Sequence, residues 1–233
     1  MRRPLPFQQC PTFTEQKMNE SAKRYRVNEI FHSIEGEGAR AGLPATFVRL
    51  VGCNLRCSYC DTTYAFEPGP TDELLTADEI AARAADFGAR AVTVTGGEPL
   101  LQDLEPLFDA LDAFEVNVET NGSIELPAPR PHVFYTMDWK SPSSGEEARM
   151  RADNLARLTE SDVLKFVVGT EADLRAAEAV LAACKPAAQV FFSPVFGQIP
   201  LVEIADFLVE RNLNARLQVQ LHKIVWDPDA RGV

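Results

Sequence analysis

Cys53, Cys57 and Cys60 lie in the run VGCNLRCSYCDTTY (51–64), which places three of the chain's five cysteines within eight residues. Thiolates are soft donors suited to zinc or to iron–sulfur clusters. A closed tetrahedral zinc site needs a fourth ligand, for which Cys184, His32, His132 and His222 are the candidates. A cubane cluster held by three cysteines leaves one iron free for a small molecule, which is a chemical reason to stop at three. Inert buried thiols are the remaining reading. Cys10 and Cys184 read as incidental. A second unusual run, TGGEP (95–99), supplies Gly96 and Gly97, where backbone can approach a ligand closely. Its acid, Glu98, is placed to accept a hydrogen bond; the plainer reading is a strand-to-helix turn.

These residues need elements to hold them, and apolar periodicity supplies an alternation of strands and helices. Strands are expected at YRVNEIFHS (25–33), ATFVRLV (45–51), ARAVTVT (89–95), EVNVET (115–120), HVFYTMD (132–138), DVLKFVV (162–168), AQVFFS (188–193) and ARLQVQLH (215–222). Helices are expected over 76–88, 100–114, 146–158, 171–184 and 200–212. The first of these carries a capping box, Thr76 with Glu79, and a stop at Gly88. Only PAPRP separates the strands ending at Thr120 and Asp138, so a crossover helix is missing or abbreviated there. This order implies a mostly parallel α/β sheet with right-handed crossovers. The expected architecture is a partial, open β/α barrel of about six core strands with abbreviated helices and flanking strands. A flat doubly wound sheet is the alternative.

Nearly every expected strand ends in an unusual polar or glycine-rich segment: the cysteine loop, GGEP, NGS, WKSPSSG, GTE, SPVFG and HK. Active sites of parallel α/β folds form at the carboxyl ends of strands. The special residues therefore share one rim.

With 34 acidic and 23 basic residues the formal net charge is −11, which argues against a general nucleic-acid binder. A small anion held by one or two local arginines remains compatible. MRRPLPFQQCPTFTEQK lacks the apolar run of a secretory signal, and no stretch has the length of a membrane span. A reducing cytoplasm is thus the expected compartment, where clustered cysteines serve metals or catalysis. Residues 1–24 read as a loosely ordered arm, and 25–233 as one domain.

C-x3-C-x2-C after a strand, followed by TGGEP after the next, resembles the radical S-adenosylmethionine superfamily. The resemblance spans roughly residues 26–225 and implies a [4Fe–4S] cluster on Cys53, Cys57 and Cys60. Its open iron would chelate the amino and carboxylate groups of S-adenosylmethionine, which is cleaved reductively to a 5′-deoxyadenosyl radical. Tyr59 fits the aromatic that packs near the adenine. FHSIEGEGARAG with FVRLVGCNLRCSYCDT is similar to the 7-carboxy-7-deazaguanine synthase family of the queuosine and 7-deazapurine pathway. That family contracts the ring of 6-carboxy-5,6,7,8-tetrahydropterin with loss of ammonia, assisted by Mg2+.

The resemblance implies that Glu37 accepts hydrogen bonds from the pterin's amino-pyrimidinone edge and that Arg49 pairs with the substrate carboxylate. His222, in QLHK, would lie near that carboxylate, and Ile34, Glu35 and Thr95 would also touch substrate. Thr62 would be the magnesium ligand. Asp61, Tyr59, Gly96, Gly97, Glu98, Ser141 and Ser193 would contact the cofactor. Two positions depart from the family pattern: Glu35 replaces a glutamine, and Ser193 stands where glutamine would precede proline. A homodimer and an electron donor such as flavodoxin or ferredoxin are further implications. A glycyl-radical activase shares the cysteine and GGEP motifs but would not carry EGEG and F-x-R. A zinc-stabilised module without catalysis is the reading from a different class.

Overall fold

The computed structural model describes residues 23–233. The arm expected over 1–24, with Cys10, lies outside the described residues except for Lys23 and Arg24, and Arg24 already opens a strand. The strands are β1 (Arg24–Ile34), β2 (Pro44–Leu50), β3 (Glu73–Thr76), β4 (Ala91–Gly96), β5 (Glu115–Thr120), β6 (Val133–Lys140), β7 (Val163–Val168), β8 (Gln189–Pro194) and β9 (Arg216–Leu217). The helices are α1 (Ala77–Asp86), α2 (Glu105–Ala110), α3 (Glu171–Cys184), α4 (Leu201–Glu210) and α5 (His222–Val225). All nine strands form one sheet in the order β3-β1-β2-β4-β5-β6-β7-β8-β9. From β2 to β9 the neighbours are parallel; β1 pairs antiparallel with β2 and β3. β3 and β9, the two ends of the sheet, do not pair, so the barrel is open.

The parallel strands alternate in a way that decides the layering. Val92, Val94, Val116, Val118, Met137, Leu164, Phe166 and Phe192 belong to one apolar core with Ile80, Leu107, Phe108, Leu174 and Ile204 from the helices. The intervening residues are polar and buried: Thr93, Thr95, Asn117, Thr136 and Lys165. Strands of parallel sheets covered on both faces are normally apolar throughout. Here one face carries the helices and the other lines a polar lumen.

The capping box at Thr76 and Glu79 forms as expected, and α3 repeats the device with Thr170 and Asp173. Three expectations need correction. The helix over 146–158 is instead two short 3-10 turns, Glu147–Arg149 and Ala152–Ala156. The side chain of Asn154 accepts from Leu126 N–H at 3.1 Å and donates to the carbonyls of Gly122 at 3.1 Å and Ile124 at 2.7 Å. It thereby satisfies the backbone of the helix-free β5–β6 connection, a demand that outranks helical propensity. The strand over 215–222 shrinks to Arg216–Leu217, because Gln218 onward turns in to meet the loop after β1. The helix over 100–114 is cut to a 3-10 turn at Pro99–Leu101 and the short α2.

Candidate active site

The cysteine loop leaves the end of β2 and is tied to the ends of three neighbouring strands. Glu98 N–H donates to Gly52 O at 2.7 Å, and Gly97 N–H to Leu50 O at 3.2 Å, fixing it to β4. Asn121 beyond β5 donates from Nδ2 to Asn54 Oδ1 at 3.1 Å. Beyond β6, Ser144 O accepts from Ser58 N–H at 3.0 Å, and Ser143 O from Ser58 Oγ at 2.7 Å. The expected rim of strand ends is therefore one bonded collar. Its two glycines serve chain contact: a Cβ on Gly96 would sit 2.0 Å from Leu50 O, and one on Gly97 2.3 Å from Gly52 O.

Below the collar lies a cleft of about 620 Å³. Its floor is the loop after β1, which carries EGEG and enters from the amino ends of the parallel strands, opposite the rim. Glu37 in this loop pairs with Lys165 Nζ at 2.9 Å. Lys165 also meets Asp138 at 3.1 Å, and Asp138 meets Lys140 at 2.8 Å. Glu37, Lys165, Asp138 and Lys140 thus form one partly buried chain of charges. Burial pushes the Asp138 carboxyl up, but Lys140 and Lys165 override it and hold it below its ordinary value. Desolvation opposes the charge on Lys140 too, and Asp138 outweighs it.

Arg49 forms one wall. Its Nε donates to Glu29 Oε1 at 2.7 Å, and its guanidinium lies 5.8 Å from the Phe31 ring and 5.7 Å from the Tyr64 ring. Tyr64 donates to the same Glu29 oxygen at 3.2 Å, and Arg231 stacks on the Tyr64 ring at 3.7 Å. β2 is interior to the sheet, so Arg49 is not on an edge strand. His222 also lines the cleft; it opens α5 rather than ending a strand. Its ring packs so tightly on Gly36 that a Cβ there would fall 2.0 Å from Nδ1. Burial is the main cause that holds this imidazole below its ordinary pKa. Lys223 reaches Asp61 at 2.6 Å; burial would raise that carboxyl, but the lysine brings it down to about 2.

Of the residues expected at the site, Ile34, Glu37, Arg49, Cys57, Tyr59, Cys60, Asp61, Thr62, Thr95, Gly96, Gly97 and His222 line this one cleft. Cys53, Glu35, Glu98, Ser141 and Ser193 do not. Glu35 is buried against Arg40 and Thr93, away from the cleft surface. Glu98 is buried, with its oxygens accepting from Leu100 N, Thr120 Oγ1 and Asn121 N, which ties β4 to β5. Sequence reading missed Glu119, Lys165, Tyr64 and Arg231 as lining residues. The period-two polar pattern of VNVE and LKF was the available signal for the first two.

The model of the radical SAM superfamily matches residues 47–130, which include the cysteine loop and TGGEP. A protein named 7-carboxy-7-deazaguanine synthase from Clostridium acetobutylicum is 41% identical over 223 residues, covering 90% of this chain and 99% of the relative. The chain belongs to the 7-carboxy-7-deazaguanine synthase family. A synthase of the same name from Chlorobaculum tepidum is 42% identical, over 89% of this chain and 96% of the relative. The crystal structure of QueE from Escherichia coli superposes with a TM-score of 0.72 at 27% identity, covering 84% of this chain and 94% of that one. This agrees with the open parallel barrel.

Membership in the synthase family implies a [4Fe–4S] cluster, S-adenosylmethionine and Mg2+, and the residues present fit them. Cys57 and Cys60 line the cleft on one loop with Cys53, and three thiols are a soft donor set suited to such a cluster. Glu37, which lines the cleft, has Oε1 buried without a hydrogen-bond partner among the described residues, an acceptor open to a ligand. Cys53, Cys57 and Cys60 would hold the cluster. Tyr59 and the Gly96–Gly97 backbone would face the cofactor, and the Thr62 hydroxyl beside Asp61 would take magnesium. No described helix is long and apolar enough to cross a membrane.

Proposed function

We propose that this protein converts 6-carboxy-5,6,7,8-tetrahydropterin to 7-carboxy-7-deazaguanine with loss of ammonia. One observation carries the reading: Glu37 and Arg49 face the same cleft as the cysteine loop. When bound, the cluster and S-adenosylmethionine supply a radical able to remove hydrogen from an unactivated carbon. The chain's residues do the rest by placement. Glu37 Oε1, buried and unpartnered, accepts from the amino-pyrimidinone edge, while Lys165 keeps Oε2 occupied. Arg49 has Nε committed to Glu29, which leaves its two terminal nitrogens for the substrate carboxylate. His222, neutral at pH 7 through burial, closes the wall beside them without adding positive charge. Ile34 and Thr95 complete the contact surface.

A one-electron donor such as flavodoxin or ferredoxin, a homodimer and a cytoplasmic location complete the proposal. The exposed Val202 and Val209 on α4 offer apolar surface for a second copy. Anaerobic reconstitution with iron, sulfide, reductant and magnesium, followed by product identification from the carboxypterin, tests the function. Zinc without iron after anaerobic purification would overturn it, as would a requirement for a protein partner as substrate. Arg49→Ala is expected to abolish carboxypterin turnover yet spare reductive cleavage of S-adenosylmethionine. Product formed at the normal rate would refute the assignment of Arg49.

A further inference from the structure

Asn121, in the NGS segment beyond β5, is buried, and both polar atoms of its side chain are claimed. Its Oδ1 accepts from Ser123 N–H at 3.0 Å and from Ser123 Oγ at 2.6 Å. A backbone N–H can only donate, so the oxygen must face Ser123 and the amide cannot be flipped. Nδ2 therefore faces the cysteine loop. One of its hydrogens goes to Asn54 Oδ1 at 3.1 Å and the other to Cys53 Sγ at 3.9 Å. Asn54 Nδ2 in turn donates to Ser123 Oγ at 2.8 Å, which closes a ring of three side chains. The backbone of Asn121 is pinned as well, its N–H donating to the buried Glu98 at 2.6 Å.

Cys53 is the one of the three clustered cysteines that does not line the cleft. Among the described residues, Asn121 makes the one side-chain N–H contact to any of their sulfurs. Gly97 packs against the same cysteine, where an added Cβ would fall 2.8 Å from Cys53 Cβ. A thiolate that binds an iron–sulfur cluster carries part of the cluster's negative charge, and that charge grows on reduction. A hydrogen bond to such a sulfur therefore stabilises the reduced form more than the oxidised form.

We propose that Asn121 is a positioning residue that donates an N–H···S hydrogen bond to the Cys53 thiolate of the cluster and so raises the cluster's reduction potential. The Asn54–Asn121–Ser123 ring holds the donor in one orientation, so no reorganisation has to accompany uptake of the electron. Asn54 belongs to the cysteine motif itself, and the ring thus ties the donor to the loop that it tunes. The effect precedes any chemistry on the pterin and does not depend on the proposed substrate. A tie that merely held the loop in place would change how much iron the protein takes up and leave the potential of the loaded cluster unmoved.

The test is a redox titration of the reconstituted protein followed by electron paramagnetic resonance, without substrate. Asn121→Ala is expected to lower the midpoint so that the reduced-to-oxidised ratio at a fixed potential falls about tenfold, which is about 59 mV for one electron. Asn121→Asp loses the same donor and adds a negative charge, so a larger fall is expected. Ser123→Ala opens the ring but keeps the amide, and a smaller fall is expected. The titration reads only molecules that carry the cluster, so weaker iron uptake by a variant does not disguise the result. A second measurement uses the native protein with heavy nitrogen confined to asparagine. Pulsed resonance of its reduced cluster is expected to show a coupled nitrogen that disappears in Asn121→Ala, where Asn54 is still labelled. A native-like midpoint in Asn121→Ala would overturn the proposal, and so would the absence of that coupling in the native protein.

Discussion

Gly97 sets how closely two loops can approach, because any side chain there would collide with Gly52 O and with Cys53 Cβ 2.8 Å away. Gly97→Ala is therefore expected to shift the cysteine loop rather than clash with a ligand. Iron content after reconstitution should fall and apo-protein stability should drop; full cluster loading would show that the loop adapts. A second prediction concerns Arg49. Arg49→Lys keeps the charge but loses the fork, at a cost of about 2–5 kcal/mol if the pair is desolvated. That should appear as at least a ~30-fold weaker carboxypterin affinity, with the cluster spectrum unchanged. At this scale much was legible in the sequence. Cys57, Cys60, Arg49 and Glu37 were recognisable from spacing and family resemblance, and they line one cleft. The role of Glu98 was not legible, because three donors claiming its carboxylate come from Leu100, Thr120 and Asn121. Two of the three lie more than twenty positions along the chain, and no local pattern announces them.

The helix-free connection between β5 and β6 is held by one buried asparagine from the segment after β6. Asn154 is fully buried, and its amide serves three backbone groups. Asn154→Ala would leave those groups unsatisfied at about 1–3 kcal/mol each before relaxation or water entry. The expected result is a lower urea midpoint with unchanged slope; Asn154→Asp should also lose stability, since it removes both amide donors. An unchanged midpoint would mean that water substitutes for the amide. The periodicity of EEARMRADNLARL reads as helix because its apolar positions recur at helical spacing, and tertiary demand prevails. Helices α1 and α3 were legible because each carries its own capping box, a local device that needs no distant partner. Strand β9 was overextended for the opposite reason. Gln218 continues an alternating pattern, but its side chain is claimed by Gly38.

Taken whole, the molecule is an open sheet whose unpaired seam is bridged by side-chain and loop contacts rather than by a further strand. Gln218 accepts from Gly38 N–H at 2.7 Å and donates to Gly38 O at 2.9 Å, and Leu221 N–H donates to Gly36 O at 3.0 Å. Residues 228–233 line the cleft, with Arg231 on Tyr64. Gln218→Ala should free the EGEG loop, raising amide hydrogen exchange over 35–43 and weakening carboxypterin binding while cluster loading stays normal. Equal exchange would show that the seam is held elsewhere. The open barrel followed from counting strands, whereas the seam did not, because it joins positions 180 apart in the chain.

That separation also orders events during synthesis. The three thiols and the TGGEP turn they pack against are complete within the first hundred residues, whereas the floor beneath them is locked only when Gln218 and His222 arrive. A contact of such long range is among the last to form as a chain leaves the ribosome. The nascent protein therefore carries its metal-binding thiols before it owns a pocket for substrate, and a ribosome stalled near residue 200 would display the first without the second.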